Sequence, residues 1–161
     1  MTTIQGIRDY LSDAEIIAFD FETAPDEAYR AEEKAALDPA RAHIVGCAFS
    51  AQERTGIYVT VAHKIGANID QTAFFLFLSD LLANPHITKV AHNIAFESSM
   101  AYAKGIVIQP PVYDTIAAAQ MTLKSAHGYR RLNESGLKHL AGELLGESLP
   151  TFAETTGGET L

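Results

Sequence analysis

An apolar, partly aromatic run predicts a β-strand over residues 15–22, and its isoleucine and phenylalanine content is typical of a strand buried on both faces. Two carboxylates, Asp20 and Glu22, interrupt this run at its end. Side chains two residues apart on a strand point to the same side of the sheet. The two acids therefore share one face, whereas Phe19 and Phe21 share the other.

The rest of the chain alternates between helical periodicity and strand-like alternation. Residues 25–40 are rich in charge and alanine and predict a solvated helical excursion, whereas two β-rich runs predict a hairpin. Asp70 is predicted to cap a helix, with Ile69 and Phe74 forming a hydrophobic staple. The remaining predicted elements are a helix over 3–12, the hairpin strands His43–Ser50 and Thr55–Ala62, a helix from Asp70 to Asn84, a strand over Thr88–Ala91, helices over Ile94–Lys104 and Tyr113–Leu123, a polar loop over 124–133 and an amphipathic helix over Ser135–Leu145.

Three strands followed by helices that alternate with a further strand predict a single α/β domain over residues 1–161, with a mixed sheet flanked by helices. Ligands of such sheets usually bind beyond the carboxyl ends of the strands. Asp20 and Glu22 are predicted to lie at such an end. Two adjacent acids repel each other and lose hydration, so a divalent cation with oxygen ligands is a natural partner. The alternative is a strand that ends at the surface with solvated acids.

Composition and charge narrow the functional classes. The 161 residues are 47% hydrophobic and carry a net charge of −8, which argues against a simple electrostatic DNA-binding module but not against a metal-dependent enzyme acting on phosphate. Cys47 is the only cysteine, so no intrachain disulfide can form and a reducing compartment is expected. Without a signal peptide or a membrane-spanning run, the sequence predicts a soluble cytoplasmic protein.

A second candidate site lies in the segment His92–Glu97. Asn93 and Glu97 are four residues apart and share one face of a predicted helix, although capping alone would account for Asn93. His63 and His92 are interpreted as packing or loop residues rather than ligands.

Taken together, the Asp20-x-Glu22 pair on a strand and the later Asn93, Phe96 and Glu97 on a helix resemble the DEDD 3′–5′ exonucleases. The collinear resemblance is to the exonuclease domain of bacterial DNA polymerase I, and it covers nearly the whole chain. The segments that carry it are Leu37–Gly46, Tyr58–His63, Val90–Glu97, Val112–Thr115, Leu137–Ala141 and Leu149–Gly157. It implies the ribonuclease H-like fold, a mixed sheet flanked by helices.

The resemblance also implies a mechanism for cleaving the 3′ end of single-stranded DNA. Two ions, Mg²⁺ or Mn²⁺, would lie about 3.5–4 Å apart and clamp the scissile phosphate. Asp20 would bridge both ions, Glu22 would bind one of them, and Glu97 would take the place of the third carboxylate. The residues implied to bind the nucleic acid are the backbone of Thr23, the side chains of Asn93 and Phe96, Arg130 or Arg131 at a phosphate, and Phe152 against a base.

The chain departs from the family pattern in three places. Glu97 stands where the family usually has Asp, the segment 25–36 is longer than the usual connection, and the third exonuclease motif, Tyr followed four residues later by Asp, is absent. The sequence is therefore expected to be a C-terminally truncated fragment of a parent protein that continues into a polymerase domain. We expect it to bind the second metal poorly and to show little or no nuclease activity.

Three other interpretations remain open. The run Phe-Asp-Phe-Glu-Thr is similar to the nucleophile loop of haloacid-dehalogenase-like phosphatases, in which Asp20 would be phosphorylated, but no downstream acidic pair accompanies it. A degenerate exonuclease fold could serve as a structural or DNA-docking module, which the net charge and Glu97 slightly favour. A ribonuclease of the same superfamily is the third.

Overall fold

The computed structural model describes residues 1–125, 128–129, 131–150 and 154. The chain divides into two compact units, Met1–Tyr113 and Asp114–Leu161. The apolar core of the first unit includes side chains from its first two helices and its three antiparallel strands, with Phe49, Phe74 and Leu78 almost fully buried. This unit contains the paired acids and the segment His92–Glu97, so it positions most of the predicted site.

A five-stranded mixed sheet forms the framework, with the order β3-β2-β1-β4-β5. The central strand β1 pairs antiparallel with β2 on one side and parallel with β4 on the other. The strand bounds are Ile16–Pro25 for β1, Ala42–Ser50 for β2, Ile57–Thr60 for β3, Thr88–Ala91 for β4 and Val112–Asp114 for β5. The predicted hairpin and mixed α/β sheet are confirmed, whereas β5 replaces the first residues of the helix predicted from Tyr113.

The prediction that β1 is buried on both faces was wrong. Ile17, Phe19 and Phe21 are buried in the core, but Ala18 and Asp20 on the opposite face are exposed. The apolar run is explained by the core-facing side chains, which recur at every second position, together with Ile16, which is 58% exposed. The exposed face of β1 is the one that carries the two acids.

Helices in the first unit follow the predicted pattern closely. Helix α1 spans Ile4–Tyr10, α2 spans Gln71–Ala83 and α3 spans Ile94–Tyr102. Asp70 caps α2 as predicted, since its side chain accepts a hydrogen bond from the Ala73 backbone N–H at 2.7 Å. No helix among the described residues is both long and apolar enough to cross a membrane.

The helical excursion predicted over residues 25–40 does not form. Two short 3₁₀ turns, Glu27–Tyr29 and Ala35–Leu37, occupy this stretch, and Lys34 between them has a left-handed backbone with φ of 61°. An α-helix needs a buried apolar face for stability, and in this segment only Ala35 is buried. Helix propensity alone was therefore insufficient.

In the second unit, the predicted helix after β5 forms as α4 over Thr115–Thr122. The side chain of Asp114 caps it by accepting a hydrogen bond from the Ile116 backbone N–H at 2.9 Å. The predicted polar loop contains a small hairpin of β6 (Lys124–Ser125) and β7 (Gly128–Tyr129). The last predicted helix is shorter than expected, with α5 over Leu137–Leu140 followed by a π-helical turn over Ala141–Leu145. Three leucines of this amphipathic stretch, Leu137, Leu144 and Leu145, are 51%, 54% and 73% exposed.

Candidate active site on the exposed face of the sheet

Strand register builds two parallel rows of side chains on the exposed face of the sheet. Asp20 on β1 lies opposite Ala48 on β2, which lies opposite Tyr58 on β3. In the next row Glu22 lies opposite Gly46, which lies opposite Thr60. Residues directly opposite each other on neighbouring strands share a face of the sheet. The two acids therefore stand beside a floor on β2 that is formed by a glycine and an alanine, Gly46 and Ala48.

Asp20 and Glu22 lie inside β1 and not at its end, which corrects the prediction. The pairing of β1 with β4 extends to Ala18 opposite Val90, whereas the pairing with β2 continues to Pro25. The acids therefore lie beyond the carboxyl end of β4, where one neighbour of the strand has ended. A register shift follows Glu22 immediately, because the next residue, Thr23, pairs with Ile44 and skips one residue of β2.

The pKa values of both acids are raised. Desolvation by the surrounding protein is the main cause for Asp20, and the charge of the nearby His92 acts in the opposite direction. For Glu22, desolvation is again the main cause, and the negative charge of Asp20 raises its pKa further. Both carboxylates are thus less stable as anions here than in water, which a bound cation would reverse.

Helix α3 belongs to the same unit as the two acids and carries the second group of predicted residues, Asn93, Phe96 and Glu97. Asn93 is its N-cap residue, but it has a left-handed backbone with φ of 78° and its side chain makes no capping hydrogen bond. Capping by its side chain therefore does not account for Asn93. Glu97 is 2% exposed, so the surface glutamate that its sequence position alone would suggest is instead a buried carboxylate.

The thiol of Cys47 is affected by the charges of both Asp20 on β1 and Glu97 on α3. Burial raises the pKa of its thiol well above the usual range, and the negative charges of Asp20 and Glu97 add to that rise. Both carboxylates therefore act on the same buried thiol of β2. Among the residues that the structure describes, no three His, Cys, Asp or Glu side chains form a group able to hold one metal ion. The predicted ligands nevertheless supply only carboxylate oxygens, which are the donors that Mg²⁺ and Mn²⁺ prefer.

The remaining predicted site residues have contrasting environments. The hydroxyl of Thr23 donates a hydrogen bond to the Ala36 carbonyl at 2.7 Å, and Phe96 is half-buried against the core. Arg131 belongs to the second unit, has an exposed side chain, and donates its backbone N–H to Glu134 Oε2 at 3.0 Å. Arg130 and Phe152 lie outside the described residues.

Tyr58 is a residue of this face that the sequence did not single out. Its hydroxyl is 2.8 Å from Nε2 of His63, and burial raises its pKa to about 12, with the Glu22 carboxylate adding to the effect. The sequence could have indicated Tyr58 through the alternation of side chains between the two faces of β3. Because Ile57 and Val59 belong to the core face, Tyr58 between them belongs to the face of the acids.

Comparison with known proteins extends the resemblance. The family model described as 3′-5′ exonuclease matches residues 2–157. DNA polymerase I of Pseudomonas aeruginosa is 26% identical over 152 residues, which cover 91% of this chain and 15% of the polymerase. The structure of Brucella melitensis NrnC with bound Mg²⁺ superposes with a TM-score of 0.64 at 22% identity, covering 96% of this chain and 63% of that one.

Escherichia coli RNase D, an exoribonuclease, has the same fold, with a TM-score of 0.62 at 17% identity over 93% of this chain and 34% of its own. This chain therefore spans less than two thirds of each of these relatives. Its strand order and flanking helices are those of the ribonuclease H-like fold. The chain belongs to the 3′-5′ exonuclease family of bacterial DNA polymerase I.

Proposed function

We propose that this chain binds the 3′ end of single-stranded DNA and hydrolyses its terminal phosphodiester with two divalent metal ions. The observation that carries the proposal is the pair of carboxylates on the exposed face of β1, whose raised pKa values a divalent cation would lower. Asp20, Glu22 and Glu97 would supply the carboxylates that hold the ions. When bound, such ions activate a water molecule and stabilise the leaving 3′ oxygen.

The chain's own residues would bind and orient the DNA. In this proposal, the backbone at Thr23 and the side chains of Asn93 and Phe96 hold the terminal nucleotide. Arg130 or Arg131 contacts a phosphate, and Phe152 stacks on a base, an interaction worth about 1–3 kcal/mol. The substrate comes from a polymerase whose catalytic domain lies in the same parent chain.

Hydrolysis by the 161 residues alone is proposed to be weak, because the third exonuclease motif is absent. No tyrosine in the sequence is followed four residues later by aspartate. We expect only slow shortening of a 5′-labelled single-stranded DNA from its 3′ end with excess protein and Mn²⁺, and none with Asp20→Ala. An RNA oligonucleotide of the same sequence is expected to be a poorer substrate. Gel electrophoresis resolves the products one nucleotide at a time.

Each outcome of this experiment separates two interpretations. Rapid degradation that depends on Asp20 would overturn the weak activity but support the function. Equal or faster cleavage of RNA would instead assign a ribonuclease. The loss of both Asp20-dependent cleavage and Asp20-dependent Mn²⁺ binding would leave a structural or DNA-docking module.

Asn93 offers a way to separate a backbone role from a binding role. Glycine adopts the left-handed conformation of residue 93 without strain, whereas alanine in that conformation costs about 1 kcal/mol. We therefore expect Asn93→Gly to retain stability and Asn93→Ala to lose about 1 kcal/mol in urea unfolding. Both variants should weaken Mn²⁺-dependent DNA binding equally, because both lack the amide. Unchanged binding by Asn93→Gly would show that the residue serves only the backbone.

A further inference from the structure

The floor between the acids and β3 is shaped by Tyr58. A Cβ atom added at Gly46 would overlap with the hydroxyl and Cζ of Tyr58 and lie 3.0 Å from its Cε2. The tyrosine ring therefore crosses from its own row, opposite Ala48, to lie above Gly46. Glu22 is the partner of Gly46 on β1, and directly opposite residues of neighbouring strands have Cβ positions about 4.5–5.5 Å apart. The hydroxyl is thus brought to the row of Glu22.

The tyrosine is held in this position by its neighbours. The Tyr58 hydroxyl is 2.8 Å from Nε2 of His63, and the two rings meet edge to face with centroids 5.5 Å apart. His63 is anchored in turn by Asn68, which accepts the His63 backbone N–H and donates its side-chain amide to the His63 carbonyl, both at 2.8 Å. An aromatic residue fixed by a second residue is suited to orient a ligand, because little conformational entropy is lost on binding.

The charges on the two sides of the floor differ. The acids of β1 attract cations, whereas Tyr58, with a pKa of about 12, remains a neutral hydrogen-bond donor in neutral solution. Among the described residues, the hydrogen-bond partner of its hydroxyl is His63 and not Glu22. If Nε2 of His63 carries the proton and donates to the phenol oxygen, the hydroxyl hydrogen of Tyr58 is available to donate to a ligand.

We propose that Tyr58 is a substrate-positioning residue whose hydroxyl donates a hydrogen bond to a phosphate oxygen of a nucleotide held beside Asp20 and Glu22. The inference rests on the proposed function, since it needs a phosphate drawn to this face by metal ions at Asp20 and Glu22. A neutral donor suits this place because it binds the phosphate without competing with those ions for the carboxylates.

The test compares the binding of Mn²⁺ alone with the binding of 2′-deoxyadenosine 5′-monophosphate in the presence of Mn²⁺, both by isothermal titration calorimetry. We expect Tyr58→Phe to keep the Mn²⁺ affinity of the unchanged protein and to lose about tenfold in affinity for the nucleotide, as for a lost hydrogen bond to a charged group. Binding of deoxyadenosine, which lacks the phosphate, should not change. Tyr102→Phe, at a tyrosine that is 74% exposed, is the matched control and should behave like the unchanged protein.

The outcomes distinguish this inference from the proposed function. If Asp20→Asn leaves Mn²⁺ binding unchanged, the metal site fails and the proposed function fails with it. If Mn²⁺ binding depends on Asp20 but Tyr58→Phe retains full nucleotide affinity, only the role of Tyr58 is overturned. The same conclusion follows if the unchanged protein binds no nucleotide, if Tyr58→Phe weakens deoxyadenosine equally, or if it weakens Mn²⁺ itself.

Discussion

Replacing Asp20 with asparagine is expected to abolish the stabilisation of this protein by Mn²⁺ and to raise its thermal midpoint at pH 7 when no ion is present. A ligand at one hundred times its Kd stabilises a folded protein by about 2.7 kcal/mol. The unchanged protein should gain about that much, and Asp20→Asn should gain nothing. Differential scanning fluorimetry across a Mn²⁺ series measures both effects.

The higher thermal midpoint expected for Asp20→Asn without metal follows from the raised pKa values of Asp20 and Glu22. An acid with a raised pKa in the folded state favours folding below its unfolded pKa, and this contribution is lost as the pH rises through the folded pKa. Once the pH lies above the folded pKa values, the charged acids oppose folding, so removing one of them stabilises the protein. The gain is at most about 1 kcal/mol, because solvent screens the exposed Asp20. At pH 3 the two proteins should unfold at similar temperatures.

The control for this prediction is Glu53→Gln, which removes one negative charge from the exposed turn between β2 and β3. It should retain the full response to Mn²⁺ and show no comparable gain in its absence. A Mn²⁺ response of Asp20→Asn equal to that of the unchanged protein would place the metal elsewhere. That result would also remove the main support for the proposed hydrolysis.

Replacing Gly46 with alanine is expected to destabilise the protein by about 1–3 kcal/mol, the usual cost of forcing a group into filled space. The added methyl group overlaps with the Tyr58 ring, so the ring must move and give up its hydrogen bond to His63. Nucleotide binding should fall with stability, because the same movement takes the hydroxyl away from the row of Glu22. Urea unfolding monitored by circular dichroism gives the energy.

A double-mutant cycle isolates this overlap. In a Tyr58→Ala background the ring is absent, so Gly46→Ala should cost close to nothing. Gly56→Ala in the same hairpin is the matched control, since among the described residues its added methyl group would meet only the Phe49 carbonyl, at 3.5 Å. An equal cost of Gly46→Ala in both backgrounds would mean that the backbone, and not Tyr58, requires glycine.

Local rules predicted many of the elements in the first unit. The cap at Asp70 and the strand Thr88–Ala91 depend on short-range hydrogen bonds and side-chain alternation, which are properties of neighbouring residues. The helix predicted over 25–40 failed because a helix depends on burying a face, and burial is decided by the rest of the molecule. Exposed Leu144 and Leu145 show the same limit in the second unit.

The sequence alone determined that Asp20 and Glu22 share a face, because the two-residue period of a strand is independent of what surrounds it. It also determined the family, through motifs spread collinearly along the chain. Only the tertiary structure decided that this face is exposed, that Glu97 is buried, and that Tyr58 lies above Gly46. Those facts depend on pairing between strands and on packing between distant segments, which no local pattern specifies.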